Sequence, residues 1–126
     1  MATENHTPFD FAALARAAVA TDPLPPHPAP AGASPAIAAA CSDYFRARSI
    51  GESDDASDAV ANLAFAEMEA AARRLSAIPC RSLADLAAKT LLVIHAQEED
   101  GDLTEAEGEV LASVAADALA MAGGVA

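Results

Sequence analysis

Residues 95–109 contain seven acidic residues and no Lys or Arg, so they have the composition of a cation site. When Asp100 and Gly101 are placed at positions five and six of a calcium-binding EF-hand loop, Leu103 falls on the apolar eighth position. Glu107 then falls on the terminal acidic position. The second half of this stretch therefore matches a calcium loop.

The first half does not match. Ala96 occupies the first position, which requires Asp, and Glu98 occupies the third, where Asp or Asn is usual. The remaining candidate ligands are Glu98, Asp100, Asp102 and Glu107. A turn at Asp100, followed by a capping box between Thr104 and Glu107, explains the same residues. We favour the turn and expect no specific metal site.

Residue types that support catalysis are scattered. His6, His27 and His95 fall in separate predicted segments, and His95 is expected near a helix C-terminus, against the last carbonyl groups. Cys41 and Cys80 have no C-x-x-C spacing and are expected as buried small hydrophobic residues. No G-x-G-x-x-G, Walker or G-x-S-x-G motif occurs. The sequence predicts neither an enzyme nor a cofactor.

The charge balance restricts the possible partners. Nineteen acidic against seven basic residues give a net charge of −12, which opposes direct binding to nucleic acid or to an anionic membrane. The longest uncharged stretch, residues 23–42, contains six prolines and is not a membrane-spanning helix. The first ten residues contain Glu4 and Asp10 and no Lys or Arg, unlike a secretory signal. We expect a cytoplasmic protein.

The composition predicts an all-α fold. There are 36 alanines and only 31 larger apolar residues, and alanine favours helices over strands. We expect a small helical bundle of about four to five helices. Because alanine buries little surface, such a bundle is expected to gain stability from self-association, most simply as a homodimer.

Three segments are expected along the chain. Residues 1–20 form an N-terminal helical arm, 21–34 a Pro-rich linker, and 35–126 the Ala-rich bundle. We expect the arm to be available to a partner through the apolar residues Phe9, Phe11 and Leu14.

Start and stop signals predict four helices in the bundle, of which the last three form a C-terminal three-helix unit. The first begins after Ser34 and ends before Gly51, and the others cover about 54–78, the residues after Ser82, and the residues from Thr104 to Gly123. Apolar spacing predicts the buried faces. For the first two helices these are Ile37, Ala40, Cys41, Tyr44 and Phe45, then Val60, Leu63, Ala64, Met68, Ala71, Leu75 and Ile78. For the last two they are Leu83, Leu86, Ala87, Thr90, Leu91 and Ile94, then Leu111, Val114, Ala118 and Met121.

The stretch 78–123 resembles uncharacterised small Ala-rich helical proteins of GC-rich bacteria and their prophages. The matching positions are Pro79, Ser82, Ala88, Lys89, Ser113 and Asp117, and Asp85 replaces a glycine that is usual in that group. The resemblance implies no activity. On physical grounds, Lys89 and Asp117 are placed to bridge the last two helices. The spacing of Asp100, Gly101 and Glu107 is also similar to a loop of tellurite-resistance TerB-type helical domains.

These observations predict a non-enzymatic helical interaction or accessory regulatory protein, whose partner is another protein or a second copy. The resemblance implies an association with prophages. An alternative is an acidic nucleic-acid mimic that inhibits a nucleic-acid-binding protein. A third hypothesis is a TerB-like ion-binding domain. Acidic clusters at 52–58 and 98–109 would favour the mimic if they shared a face.

Overall fold

A computed structural model describes residues 29–123, which form four helices and no strand. The helices are α1 (Pro35–Gly51), α2 (Asp58–Ala77), α3 (Leu83–Asp100) and α4 (Glu105–Gly123). The predicted all-α class is confirmed for this range. The expected arm helix lies outside the described residues, together with Phe9, Phe11, Leu14 and most of the Pro-rich linker.

Polar side chains fix the starts of the helices. Ser57 Oγ accepts the Val60 N–H at 3.2 Å at the start of α2, and Ser82 Oγ accepts the Asp85 N–H at 3.1 Å at the start of α3. The expected start of α2 near residue 54 is wrong. Ser53 Oγ instead accepts the Asp55 N–H at 3.2 Å in a turn, which leaves Ser57 to cap the helix.

The end of α3 also differs from expectation. The helix continues through His95 to Asp100, so the first half of the acidic stretch is helical. Gly101 then ends it with a φ of 83° and donates its N–H to Gln97 O at 2.8 Å. The predicted chain reversal after Asp100 is present, but it is the C-cap of a longer helix.

All four helices share one hydrophobic core. α1 packs against α2 and α3, and α4 packs against the same two helices. The largest apolar residues of the core are Ile37, Tyr44, Phe45, Met68, Leu75, Leu92, Val93 and Val110. The three C-terminal helices therefore share their core with α1.

The predicted buried face is confirmed for α1, where Ile37, Ala40, Cys41, Tyr44 and Phe45 are all buried. It is wrong in part for α2, where Val60 and Leu63 are 43% and 62% exposed. In α4, Leu111 is exposed, and Ala106, Glu107 and Val110 are buried.

The largest error concerns α3. Leu83 and Ala87, expected inside, are exposed, and Leu86, Leu91 and Ile94 are only partly buried. The face that is buried contains Asp85, Ala88, Lys89, Leu92, Val93, His95 and Ala96. The ionic residues Asp85 and Lys89 occupy inward positions because their charges have partners there.

None of the helices within residues 29–123 is both long and apolar enough to cross a membrane.

Candidate functional site

A buried ionic cluster centred on Arg48 joins α1 to α4. Tyr44 and Arg48 lie one turn apart on α1, and Glu107 lies in the first turn of α4. Tyr44 Oη donates to Glu107 Oε2 at 2.6 Å, and Arg48 Nη1 donates to Tyr44 Oη at 3.0 Å. Arg48 Nη1 is also 3.5 Å from Glu107 Oε2. Burial raises the pKa of Tyr44 well above its usual value, so the phenol keeps the proton that it donates.

The outer side of the Arg48 cluster reaches solvent. Arg48 Nη2 donates to Asp100 Oδ2 at 2.7 Å. Arg48 Nε lies 3.0 Å from Glu52 Oε2, close enough for an ion pair but not aligned for a hydrogen bond. The side chains of Asp100 and Glu52 are 44% and 53% exposed, whereas that of Arg48 is 5% exposed. One guanidinium thus connects a buried carboxylate with two at the surface.

Glu107 is also the acidic partner of the predicted capping box. Its Oε1 accepts the Thr104 N–H at 2.9 Å, and its own N–H donates to Thr104 Oγ1 at 3.1 Å. Thr104 Oγ1 in turn donates to Glu69 Oε2 on α2 at 2.7 Å. The capping box is confirmed. Tyr44 and Arg48 could not be predicted as partners of Glu107, because they lie on a helix that is distant in sequence.

The four candidate calcium ligands do not converge on a common point for a cation. Glu98 is exposed on the last part of α3, and Asp102 is exposed in the connection that follows. Asp100 and Glu107 do meet, but the group between them is the Arg48 guanidinium. Within residues 29–123, no group of three or more His, Cys, Asp or Glu side chains is arranged to hold a metal ion.

An open pocket of about 450 Å³ adjoins the Arg48 cluster. One wall is apolar and is formed by Ala61, Ala64, Phe65 and Met68 of α2. Three carboxylates also line the pocket, those of Glu52, Asp100 and Asp102. The pocket therefore brings together the two acidic clusters, which are far apart in sequence, beside an exposed aromatic ring.

A second buried ionic cluster lies at the opposite end of α3. Lys89 Nζ donates to Asp117 Oδ2 at 2.8 Å and to Ser113 Oγ at 3.1 Å. The Cys80 N–H also donates to Asp117 Oδ2 at 3.3 Å. The predicted bridge between Lys89 and Asp117 is confirmed, and Lys89 is fully buried.

Asp85 anchors the start of α1 to this Lys89 cluster. Its carboxylate accepts the Ser34 N–H and the Ser34 Oγ–H, both at 2.7 Å, and the Arg81 N–H at 2.8 Å. Burial alone would raise the pKa of Asp85, but these hydrogen bonds and the Lys89 charge outweigh it and lower the pKa. Ser34 was expected to cap α1, but it makes no side-chain cap and bonds to Asp85 instead.

The remaining candidates within residues 29–123 are buried, and His6 and His27 lie outside the described residues. Burial is the main cause that raises the pKa of both Cys41 and Cys80 to about 12, so both thiols are protonated at neutral pH. His95 is 6% exposed and packs edge-to-face on Phe45, with ring centroids 5.1 Å apart. Its expected place against the last carbonyls is wrong, because α3 continues beyond it.

The outward sides of α3 and α4 form a second candidate site, which we call the α3–α4 surface. No exposed residue is charged at positions 83–97 or 110–123. Asp85 and Lys89 face inward, and the side chain of Asp117 is only 15% exposed. The large side chains left exposed on this surface are Leu83, Leu111 and Leu119, among exposed alanines.

The outward sides of α1 and α2 are different. They expose the paired charges of Arg46 with Asp43 and of Arg74 with Asp43, at 3.3 and 2.8 Å. The outward sides of α1 and α2 therefore expose charged residues beside apolar ones such as Leu63 and Phe65, whereas the α3–α4 surface exposes apolar residues and no charge. Comparison with protein-family models, curated proteins and solved structures gives no match to this chain.

Proposed function

We propose that this protein is a non-enzymatic interaction module that associates with a second copy of itself through the α3–α4 surface. The observation that carries the proposal is the absence of exposed charge at positions 83–97 and 110–123 in a chain with a net charge of −12. A solvent-facing helix side normally carries charged residues. Leu83 and Leu119, at 77% and 73% exposed, are typical of a surface that a partner covers.

Charge favours a second copy as the partner. Two chains with the same strong negative charge repel each other wherever their acidic surfaces face, and least where both surfaces are neutral. A two-fold axis would place the α3–α4 surface of one copy against the same surface of the other. The many exposed alanines would allow the helices to approach closely.

The size of the surface fits a weak dimer. The uncharged parts of the two helices contain about 15 residues each, so each is roughly 22 Å long and about 10 Å wide and together they present about 450 Å² per copy. Two copies would bury about 900 Å² in total, the size of a weak or transient interface. The expected dimer is therefore small and concentration-dependent.

Sedimentation of the full chain over a hundredfold concentration range tests this proposal. We expect a monomer–dimer equilibrium, and Leu119→Glu should weaken dimerisation by at least about tenfold because it buries an unpaired charge. Leu63→Glu on α2 is the matched control, since Leu63 is also a leucine exposed on a helix, at 62%. A monomer at every concentration, or equal effects of the two substitutions, would refute the proposal.

The nucleic-acid mimic is kept as a second candidate because of one observation. Arg48 pairs with both Glu52 and Asp100, so the two acidic clusters meet at one end of the bundle. A mimic would use these carboxylates in place of phosphates in a basic groove. If so, proteins from the host that are captured on the immobilised chain should be released by short duplex DNA.

The TerB-like alternative has less support, since Glu107 would have to leave Tyr44 and Arg48 to bind an ion.

A further inference from the structure

We infer that the pocket beside Arg48 binds a lysine or arginine side chain carried by a basic segment of a partner protein. This site is separate from the α3–α4 surface, so it goes beyond the proposed self-association. The inference rests on the shape of the pocket, the charge around it and the groups that form its walls.

The charge of the pocket selects a cation. Three carboxylates line it, against the single guanidinium of Arg48, and the buried carboxylate of Glu107 lies behind that guanidinium. Arg48 therefore leaves the lining net negative. Its contacts at 2.7 Å to Asp100 and 3.0 Å to Glu52 also hold two of the three carboxylates in position before a ligand arrives.

The apolar wall selects a cation with a hydrocarbon stem. Ala61, Ala64 and Met68 line the pocket beside Phe65, whose side chain is 53% exposed. An aromatic ring near carboxylates is a favourable place for a guanidinium or ammonium group, because the face of the ring attracts cations. Lysine and arginine have the long methylene stems that would cover the alanines and Met68. A hydrated metal ion would gain no favourable contact with these apolar side chains.

The surroundings of the pocket favour a protein segment over a free amine. Asp54, Asp55 and Asp58 are exposed in and after the α1–α2 connection, outside the pocket. Glu98 and Glu105 are exposed on either side of the α3–α4 connection. A single amine inserted in the pocket would not contact these carboxylates, whereas a segment with several basic residues would contact some of them. The pocket volume, about 450 Å³, is in the usual range of ligand sites.

A titration of the full chain with a fluorescent peptide of alternating arginine and alanine residues tests this inference. Fluorescence anisotropy at about 0.15 M salt should give a saturable curve. Phe65→Ala should weaken binding at least about fivefold through loss of the ring. Asp102→Asn should weaken it about threefold through loss of one carboxylate.

Matched controls separate the pocket from general attraction to an acidic protein. Leu63→Ala and Glu67→Gln alter exposed residues of α2 that are close in sequence to Phe65 and do not line the pocket, and each should change the affinity less than about twofold. Equal losses in pocket and control variants, absence of saturation, or displacement of the peptide by an equal concentration of spermidine would overturn the inference. Sedimentation of Phe65→Ala should match that of the unchanged chain, so this result is independent of the α3–α4 dimer.

Discussion

The two buried ionic clusters differ in how far they open to solvent. In the Lys89 cluster, Lys89 and Asp85 are fully buried and the side chain of Asp117 is 15% exposed. In the Arg48 cluster, the buried pair of Arg48 and Glu107 continues outward to two carboxylates that are about half exposed. One cluster is closed, and the other is closed on one side only.

This difference separates a structural role from a binding role. The closed cluster connects the start of α1, the α2–α3 connection, α3 and α4 through Ser34, Cys80, Asp85 and Asp117. A charge left alone there has little access to water, so its partners are essential to stability. The open cluster can exchange partners at its outer side, where the pocket lies. We therefore expect loss of stability at the first cluster and loss of binding at the second.

The largest effect is expected from Lys89→Ala, which leaves Asp117, whose side chain is only 15% exposed, without its cation. We expect a loss of about 3–5 kcal/mol in the free energy of unfolding, the range for breaking a buried ion pair. Urea denaturation measures it. The double variant Lys89→Met with Asp117→Leu should recover much of this loss, because it removes both charges. A Lys89→Ala variant within about 1 kcal/mol of the unchanged chain would mean that the cluster is not closed.

A smaller loss is expected from Glu107→Gln in the open cluster. The amide oxygen can still accept the Thr104 N–H, and Arg48 keeps Asp100 and Glu52 as partners. We expect a loss of about 1–3 kcal/mol, the cost of leaving a buried polar group poorly paired. The comparison between the clusters would fail if this loss in urea denaturation exceeded that of Lys89→Ala.

Tyr44→Phe removes one hydroxyl from the open cluster while Arg48 and Glu107 stay in place. The hydroxyl both accepts from Arg48 and donates to Glu107. Since the two charged groups are already 3.5 Å apart, they can pair directly in the variant. We expect a loss of about 0.5–1.5 kcal/mol, typical of one hydrogen bond. Phe45→Leu, which removes the neighbouring ring and no hydrogen bond, controls for packing. A stabilised Tyr44→Phe variant would show that the hydroxyl is not needed.

The smallest expected effect is on the pH dependence of stability. Burial would raise the pKa of Asp117, but hydrogen bonds from Lys89 and Cys80 and the Lys89 charge lower it, as similar contacts lower that of Asp85. Groups whose pKa is lower in the folded chain contribute stability above the ordinary aspartate pKa, about 4. That contribution is lost as the pH falls through the lowered values. Urea midpoints between about pH 5 and pH 2 should therefore fall less steeply for Asp117→Asn than for the unchanged chain.

Local signals were enough to predict most helix starts and one complete site element. Ser82 and the pair of Thr104 with Glu107 cap their helices as the spacing predicts, because a cap involves only neighbouring residues. The same reasoning could not find the Arg48 cluster. Tyr44 and Glu107 are 63 residues apart, and Arg48 and Asp100 are 52 apart, so only the packing of the helices brings them together.

The face of α3 shows a different limit. Apolar spacing selects the larger residues, which are Leu83, Leu86, Leu91 and Ile94. The buried face instead combines alanines, Leu92 and Val93 with Asp85 and Lys89, whose charges are paired in the fold. In an alanine-rich chain the largest apolar residues are not a reliable sign of the core. Here Leu83 is exposed, where the proposed partner would cover it, and Leu91 and Ile94 are only partly buried.

The two buried thiols, Cys41 and Cys80, can report transient opening of the fold around them. Cys41 contacts Ala88 O at 4.0 Å and Cys80 lies beside Asp117, so both belong to the region around Lys89. A protonated, covered thiol does not react with alkylating reagents until the structure around it opens. The rate of alkylation in native buffer therefore measures how often the region around Lys89 opens, and no engineered cysteine is needed. Comparison of the alkylation rates of Cys41 and Cys80 would show whether the region around Lys89 opens one helix at a time or as a unit.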